Sequence, residues 1–506
     1  MKKTVFIKNA LILTISSLLL RFIGIIFKVW LAKEIGSEGI GLYQLIFSVY
    51  VLISTFATSG ISTAVTKLCA EELALGSKKG TLKILKRAIA ISLFLAFVSL
   101  SIVFFGADII AKTLIGDKRA VLALKILPFS LPFMAISSCI RGYFIARRKA
   151  TPGSATQILE QLVRIGVIFL LISKFAKRGI AFCCCAVIIG DVLAEGVSTI
   201  CLAIVYKLDQ RKLSSLKGRA LPNYKISKRI INIALPITSG RYLNSLLRTA
   251  ENILVPKNLS KFSANSSLAL SQFGMIKGMA LPLLFFPSTL LNSVSILLIP
   301  EMSEALARKR KGMVKWSVRN ILRLTAIISF IFASIFFFAG EEIGQLIYKE
   351  KETGLLIKYL APIVPLMYLD SISDGLLKGL DQQNFTFRTA VSDSTLRIIL
   401  ILLILPLFGM RGFIGIMYFS NALTCFLNVG RLLKVSGARF KISEDIIFPL
   451  LLSITLGLLS NFLLSFNNFG NLVYIILVCL ICLPFYLLLL FLFGTINSKE
   501  IKSLFS

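Results

Sequence analysis

An all-α bundle that crosses the membrane many times and is built from two related halves is the fold class this sequence predicts. Three observations predict it. The chain of 506 residues is 56% hydrophobic, with a mean hydropathy of +0.84, which is too apolar for a protein of this size with a water-exposed surface. Apolar runs of about 20 residues recur along its whole length. Each can span about 30 Å of hydrocarbon as a helix, and about fourteen can be counted. Finally, residues 125–179 align with residues 358–412 at a constant offset of 233, with no gap. Lys125 falls on Lys358, Pro132 on Pro365, Ser138 on Ser371, Gly142 on Gly375 and Arg164 on Arg397.

The helices are expected near 10–32, 40–66, 88–112, 121–146, 154–173, 180–206, 231–255, 267–299, 321–347, 354–380, 389–409, 413–433, 446–465 and 472–494. The apolar stretch Ala10 to Leu31 is read as a retained helix, because it runs past the length of a cleaved signal core. The expected organisation is a six-helix bundle over 1–206, a basic linker over 207–230, a second six-helix bundle over 231–433, and two additional helices with a tail over 434–506. The repeat offset is near 224 at its start, where Lys33 falls on Lys257. The second half therefore carries extra polar residues after Lys257, which fit an enlarged outer loop. Six helices separate the two starts, so both halves enter from the same side as parallel repeats. Duplicated apolar halves of this kind imply a transporter, with a site between the halves and alternating access by rocking.

The net charge of +33 raises the question of nucleic acid, and its distribution answers against it. Lys and Arg concentrate in alternate loops, at 78–87, 147–149, 207–229, 308–323 and 434–441. That asymmetry predicts a cell-membrane protein with both termini in the cytoplasm. The remaining excess suits attraction to anionic membrane lipids. The chain has nine Cys and no His, so a Ser-His triad and a His-containing zinc site are excluded. Cys183-Cys184-Cys185 and the CxxC of Cys479 and Cys482 sit in apolar runs and read as packing residues. No phosphate-binding loop and no catalytic constellation is present, so no enzyme activity, cofactor or metal is expected.

Charged side chains deep in membrane helices face protein or a wet cavity, because facing lipid costs at least about 2.5–3.5 kcal/mol. Arg21 and Lys28 lie seven apart on the first helix, hence on one face. Arg241 and Arg248 repeat that spacing on the seventh, with Glu251 three residues on. Lys277 lies in the eighth, before Pro282 and Pro287. Arg21 and Arg241 are read as facing a shared cavity. Arg248 with Glu251 admits two readings, an ion pair or a ligand site.

A second set is acidic. Asp370 and Asp374 share a stripe with Lys378, and Asp393 lies one turn before Arg397. Glu160–Arg164 and Asp393–Arg397 occupy matching repeat positions and read as the same intrahelical ion pair used twice. Their roles stand as structural, with a cation or proton site in the second half as the sharper reading. Glu71 and Glu301 match at an offset of 230 and end long helices before basic loops. They read as solvated helix ends or as gating residues. Gly274, Gly278, Pro282 and Pro287 interrupt the eighth helix and suit either a hinge or close packing.

Four segments carry a likeness to a known family: LLLRFIGIIFKVWLAKEIGSEGIGLYQL (18–45), TSGISTAVTKLCAEELALG (58–76), ENILVPKNL (251–259) and SQFGMIKGMALPLLFFPSTLLNSVSILLIPEMSEALA (271–307). The chain resembles the polysaccharide-transport branch of the multidrug/oligosaccharidyl-lipid/polysaccharide exporter superfamily, and within it the sporulation-type members of spore-forming bacteria. It is also similar to the lipid II flippases of cell-wall synthesis. The resemblance implies two bundles facing a partly cationic cavity lined by helices one, two, seven and eight. The cargo it implies is an undecaprenyl-pyrophosphate-linked saccharide, such as a peptidoglycan precursor, flipped to the outer leaflet, with cell-wall synthesis proteins as possible partners. Other lipid-linked polysaccharide units, a multidrug cation antiporter and a multi-pass sugar-lipid enzyme are the alternatives.

Overall fold

The computed structural model describes residues 3–175, 178–212, 226–289, 291, 302, 304–305, 308, 310–439, 441 and 443–465. Among these residues there is no β-strand. The helices are α1 (Lys3–Ala74), α2 (Lys78–Ile109), α3 (Val121–Ile126), α4 (Leu131–Ala146), α5 (Thr151–Phe175), α6 (Ile180–Lys212), α7 (Ile226–Ser263), α8 (Ser266–Gly274), α9 (Leu281–Phe285), α10 (Lys311–Phe338), α11 (Gly340–Tyr348), α12 (Lys351–Leu360), α13 (Val364–Gly379), α14 (Gln383–Ser436) and α15 (Phe448–Ser465). Eight helical spans among the described residues are long and apolar enough to cross a membrane. The chain is an all-α, multi-pass membrane protein. The expected helix at 472–494 lies outside the described residues.

Two of these spans are pairs of helices joined at a glycine. Gly36 in α1 has φ 69° and ψ 173°. Gly409 in α14 has φ 54° and ψ −134°. A side chain is strained at such positive φ, so glycine is where a long apolar run breaks into two crossings. The interruption expected in the eighth helix is a wide π-helical turn over Met275–Ala280, followed by α9 with Pro282 in its first turn. Proline is tolerated there because the first turn's N–H groups have no helical acceptor.

The chain divides into two compact units, Met1–Gly274 and Met275–Ser506. The division follows packing: α7, the first helix of the second repeat, packs with α1 in the first unit. In the first unit the helices approach through small residues. A Cβ on Gly41 would stand 2.2 Å from the Leu270 carbonyl oxygen, and one on Gly60 would stand 2.2 Å from that of Ala234. Ala64, Ala88, Ala96 and Ala135 are fully buried. Small residues let backbones close up where lipid offers no hydrophobic drive for association. In the second unit, Tyr368 donates its hydroxyl to the Leu284 carbonyl at 2.6 Å and Tyr348 donates to that of Met279 at 3.0 Å. Each contact satisfies a hydroxyl in an apolar core. Phe105, Phe426 and Leu407 are among the most exposed apolar side chains. In water such residues would be a liability, and against acyl chains they are in their own solvent.

Candidate functional site

A cleft of about 510 Å³ opens within the first unit, between the second arm of α1 and α7. The second arm contributes Gln44, Phe47, Ser48, Val51, Ser54, Thr55, Thr58 and Ser59, and α7 contributes Arg241, Asn244, Ser245, Arg248, Thr249 and Asn252. The spacings are helical on both sides, at three or four residues, so each helix turns one polar stripe inward.

The two helices are pinned at both ends of the cleft. At one end Gly60 N–H donates to Thr238 Oγ1 at 3.1 Å. At the other, Thr249 Oγ1 donates to the Ser48 carbonyl at 3.0 Å, and Asn252 Nδ2 donates to Ser48 Oγ at 2.9 Å. Several α1 hydroxyls donate to the preceding turn of their own helix: Ser48 to the Gln44 carbonyl at 2.7 Å, Thr55 to that of Val51 at 2.6 Å and Thr58 to that of Ser54 at 2.7 Å. With the proton committed to the backbone, each oxygen is left as an acceptor.

Arg241 and Arg248 supply the cleft's charge. Both are exposed, and no carboxylate is among the lining residues. Among the described residues the Arg241 contacts are long, from Nη1 to the Ser59 carbonyl at 3.5 Å and to its Oγ at 3.4 Å. Two guanidiniums with hydroxyl and amide oxygens around them offer the donors and acceptors that a multiply charged anion bearing hydroxyls would need.

The other expected site residues distribute as follows. Arg21 is exposed and Lys28 half-buried on the first arm of α1, and neither lines this cleft. Glu251 is 3% exposed, and Arg248 lines the cleft. Lys277 is half-buried on the wide turn. Glu71 pairs with Arg229 at 2.6 Å, joining the last turns of α1 to the start of α7. Glu301 lies outside the described residues.

The acidic set also falls into contacts. Arg164 Nη2 meets Glu160 Oε1 at 2.9 Å, and Arg397 Nη2 meets Asp393 Oδ2 at 2.8 Å, each an i,i+4 pair on its helix. Asp374 pairs with Lys378, also i,i+4. Asp370 accepts from Asn428 Nδ2 at 2.7 Å.

Sequence reasoning missed two groups. One is the neutral lining of the cleft, whose signal was a polar stripe of helical period in otherwise apolar helices. The other is the partner set on α4 and α6. Arg141 reaches Glu160 at 3.0 Å, Asp191 takes Arg164 Nε at 2.7 Å, and Ser137 donates to Glu195 at 2.8 Å. Those contacts join residues up to 58 apart, which local spacing does not reveal.

Comparison with known proteins agrees with this architecture. Residues 6–306, more than half of the chain, match the family described as polysaccharide biosynthesis protein. Stage V sporulation protein B of Bacillus subtilis (strain 168) is 27% identical over 476 residues, which is 93% of this chain and 91% of that protein. The structure of lipid II flippase MurJ in an inward closed conformation superposes with a TM-score of 0.71 at 16% identity, over 94% of this chain and 96% of that one. An inward-facing multidrug resistance MATE family transporter of the MOP superfamily superposes with a TM-score of 0.63 at 12% identity, over 83% of this chain and 95% of that one.

Proposed function

The chain belongs to the polysaccharide biosynthesis protein family, and on that premise we propose that it is a flippase for an undecaprenyl-pyrophosphate-linked saccharide. A peptidoglycan precursor such as lipid II, destined for spore cortex or cell wall, is the cargo proposed. The observation that carries the reading is the acid-free cleft with two arginines and an array of acceptor oxygens. Arg241 and Arg248 take the pyrophosphate, the hydroxyls and amides of α1 and α7 take sugar hydroxyls, and the prenyl tail stays in lipid. A basic, hydrated cleft replaces the solvation a charged headgroup loses on crossing hydrocarbon. Export of an anion is also favoured by an inside-negative potential, at about 2.3 kcal/mol per charge per 100 mV. A cationic cargo would want carboxylates in the lining. The protein transports its cargo without changing it chemically.

Both termini are placed in the cytoplasm by the loop charges. A cysteine at Arg148 or Arg310 should then be labelled from inside only, and labelling from outside would reverse the orientation. The functional test is flipping of a defined polyprenyl-pyrophosphate-linked saccharide by reconstituted protein. A charged phosphate contact is worth about 1.5–3 kcal/mol, so Arg241→Ala and Arg248→Ala should each slow flipping at least severalfold at unchanged protein level. Arg241→Lys should keep part of the rate, retaining charge without the planar fork. Arg21→Ala asks whether the first arm of α1 contributes as well. Normal flipping by the Arg241→Ala, Arg248→Ala double variant would sink the cationic-cleft mechanism.

A further inference from the structure

The outer faces of α2 and α10 are repeat counterparts with different neighbours. The offset of 233 sets Lys86 on Arg319, Phe97 on Phe330, Ser101 on Ser334, Ile102 on Ile335 and Phe105 on Phe338. On α10 this face packs against α15 and the wide turn Ser443–Ile447 that leads into it. Arg319 Nε and Arg323 Nε reach the fully buried Asp445 at 3.7 and 3.5 Å, and Arg319 Nη2 reaches Glu444 at 3.6 Å. Farther along, Ser334 donates its hydroxyl to the Ser453 carbonyl at 2.7 Å. A Cβ on Gly457 would run into the Phe338 ring. The segment thus meets α10 with a carboxylate at its start and with small residues, Ser453 and Gly457, eight and twelve positions on. Small residues four apart are the pattern of close helix packing in lipid.

On α2 the same face is exposed. Phe97 is 55% exposed where Phe330 is 8%, and Ile102 is 64% exposed where Ile335 is 7%. Lys79, Lys83, Lys86 and Arg87 are exposed along the first turns and form no ion pair among the described residues. Ser101 is exposed too, about 22 Å beyond Lys86 along the helix. Its hydroxyl has no partner among the described residues. Acyl chains suit Phe97 and Ile102 but offer Ser101 no acceptor. A helix backbone offers one, as the Ser453 carbonyl does for Ser334.

We propose that the exposed face of α2 is the docking site for one transmembrane helix of a partner membrane protein. That helix carries a carboxylate that meets Lys86 and Arg87, and two small residues four apart that bring its backbone up to Ser101. The internal repeat specifies this occupant, because α15 already fills the equivalent face of the second half in this way. A second copy of the chain is a poorer occupant, since its own helix of that pattern is engaged on α10. The docked helix would ride on the first unit without entering the cleft, because none of these α2 residues lines it. The proposal is independent of the cargo.

A peptide of residues 443–465 carries the required pattern and is the probe. The full chain with Ser101→Cys is reconstituted in phosphatidylcholine vesicles with the peptide carrying Ser453→Cys, and the mixture is oxidised. A disulfide adduct should form, well above that of the chain without Ser101→Cys. Its yield should fall severalfold when Lys86→Glu and Arg87→Glu are added together. It should recover when the peptide carries Glu444→Lys and Asp445→Lys, because opposite charges again face each other. That recovery separates docking from a misfolded variant. Gly457→Leu in the peptide should also lower the yield severalfold by holding the backbones apart. Absence of the adduct, or equal yields with all of these peptides, overturns the proposal. So does loss of the adduct when phosphatidylglycerol is mixed into the vesicles, which would assign the face to anionic lipid.

Discussion

The polar cluster of the first unit and its counterpart in the second use the same helix positions with different chemistry. Carried onward, the repeat offset of 233 places Ser137 on Asp370, Glu195 on Asn428, Asp191 on Thr424 and Arg141 on Asp374. In the first unit a hydroxyl on α4 donates to a carboxylate on α6 at 2.8 Å. In the second an amide on the second arm of α14 donates to a carboxylate on α13 at 2.7 Å. The acid has changed helices and the contact has stayed. The arginines differ too. Arg164 bridges Glu160 and Asp191, while Arg397 holds Asp393 and donates to the Ser420 hydroxyl oxygen at 2.7 Å. Duplication thus preserved where polar groups must meet and left free which partner carries the charge. In a low-dielectric interior the constraint is on satisfied partners rather than on residue identity.

The largest test of this contrast removes the shared cation. Arg164→Met strands Asp191 and leaves Glu160 with Arg141 alone, and it should cost about 3–5 kcal/mol, the penalty for breaking a buried pair. Arg397→Met leaves Asp393 with the Ser420 hydroxyl as a donor and should cost less. Thermal unfolding in detergent measures both, and equal losses would erase the distinction. Next is the hydroxyl itself. Val187 stands where the second half has Ser420, so Ser420→Val installs the first half's residue. It should cost about 1–3 kcal/mol, because Asp393 loses the Ser420 donor. A neutral result would mean the hydroxyl is dispensable there.

The swap of the acid between helices can be tested directly. Ser137→Asp alone sets two carboxylates together, Glu195→Asn alone removes the acceptor, and the double variant rebuilds the second half's pair. A favourable coupling of about 0.5–3 kcal/mol is expected from the double-mutant cycle. Simple additivity would show that the two contacts are not equivalent. The smallest effect belongs to Lys378→Ala. The Lys378–Asp374 pair is largely exposed, at 52% and 36%, so its loss should cost no more than about 0.5 kcal/mol. A larger loss would mean Asp374 is bound into the interior as its counterpart Arg141 is.

The class of the molecule was legible because it rests on local properties. Hydrophobic run length gives membrane crossings, and the repeat survives in residues such as Pro132 and Pro365 whose conformational role tolerates few substitutes. The i,i+4 pairs Glu160–Arg164 and Asp393–Arg397 were readable for the same reason, since helix geometry alone brings their side chains together. The placement of Arg241 and Arg248 on one face followed from a spacing of seven. Beyond one helix such reasoning stops. That Arg248 turns to an open cleft while Glu251, three residues on, is buried depends on which neighbour α7 packs against. That Gly36 and Gly409 carry the breaks in α1 and α14 depends on their φ values, which several other glycines in the chain do not share. The cluster of Arg141, Glu160, Arg164, Asp191 and Glu195 draws on three helices. Its excess charge is a property of their packing, because only burial together makes two cations and three carboxylates a single electrostatic unit.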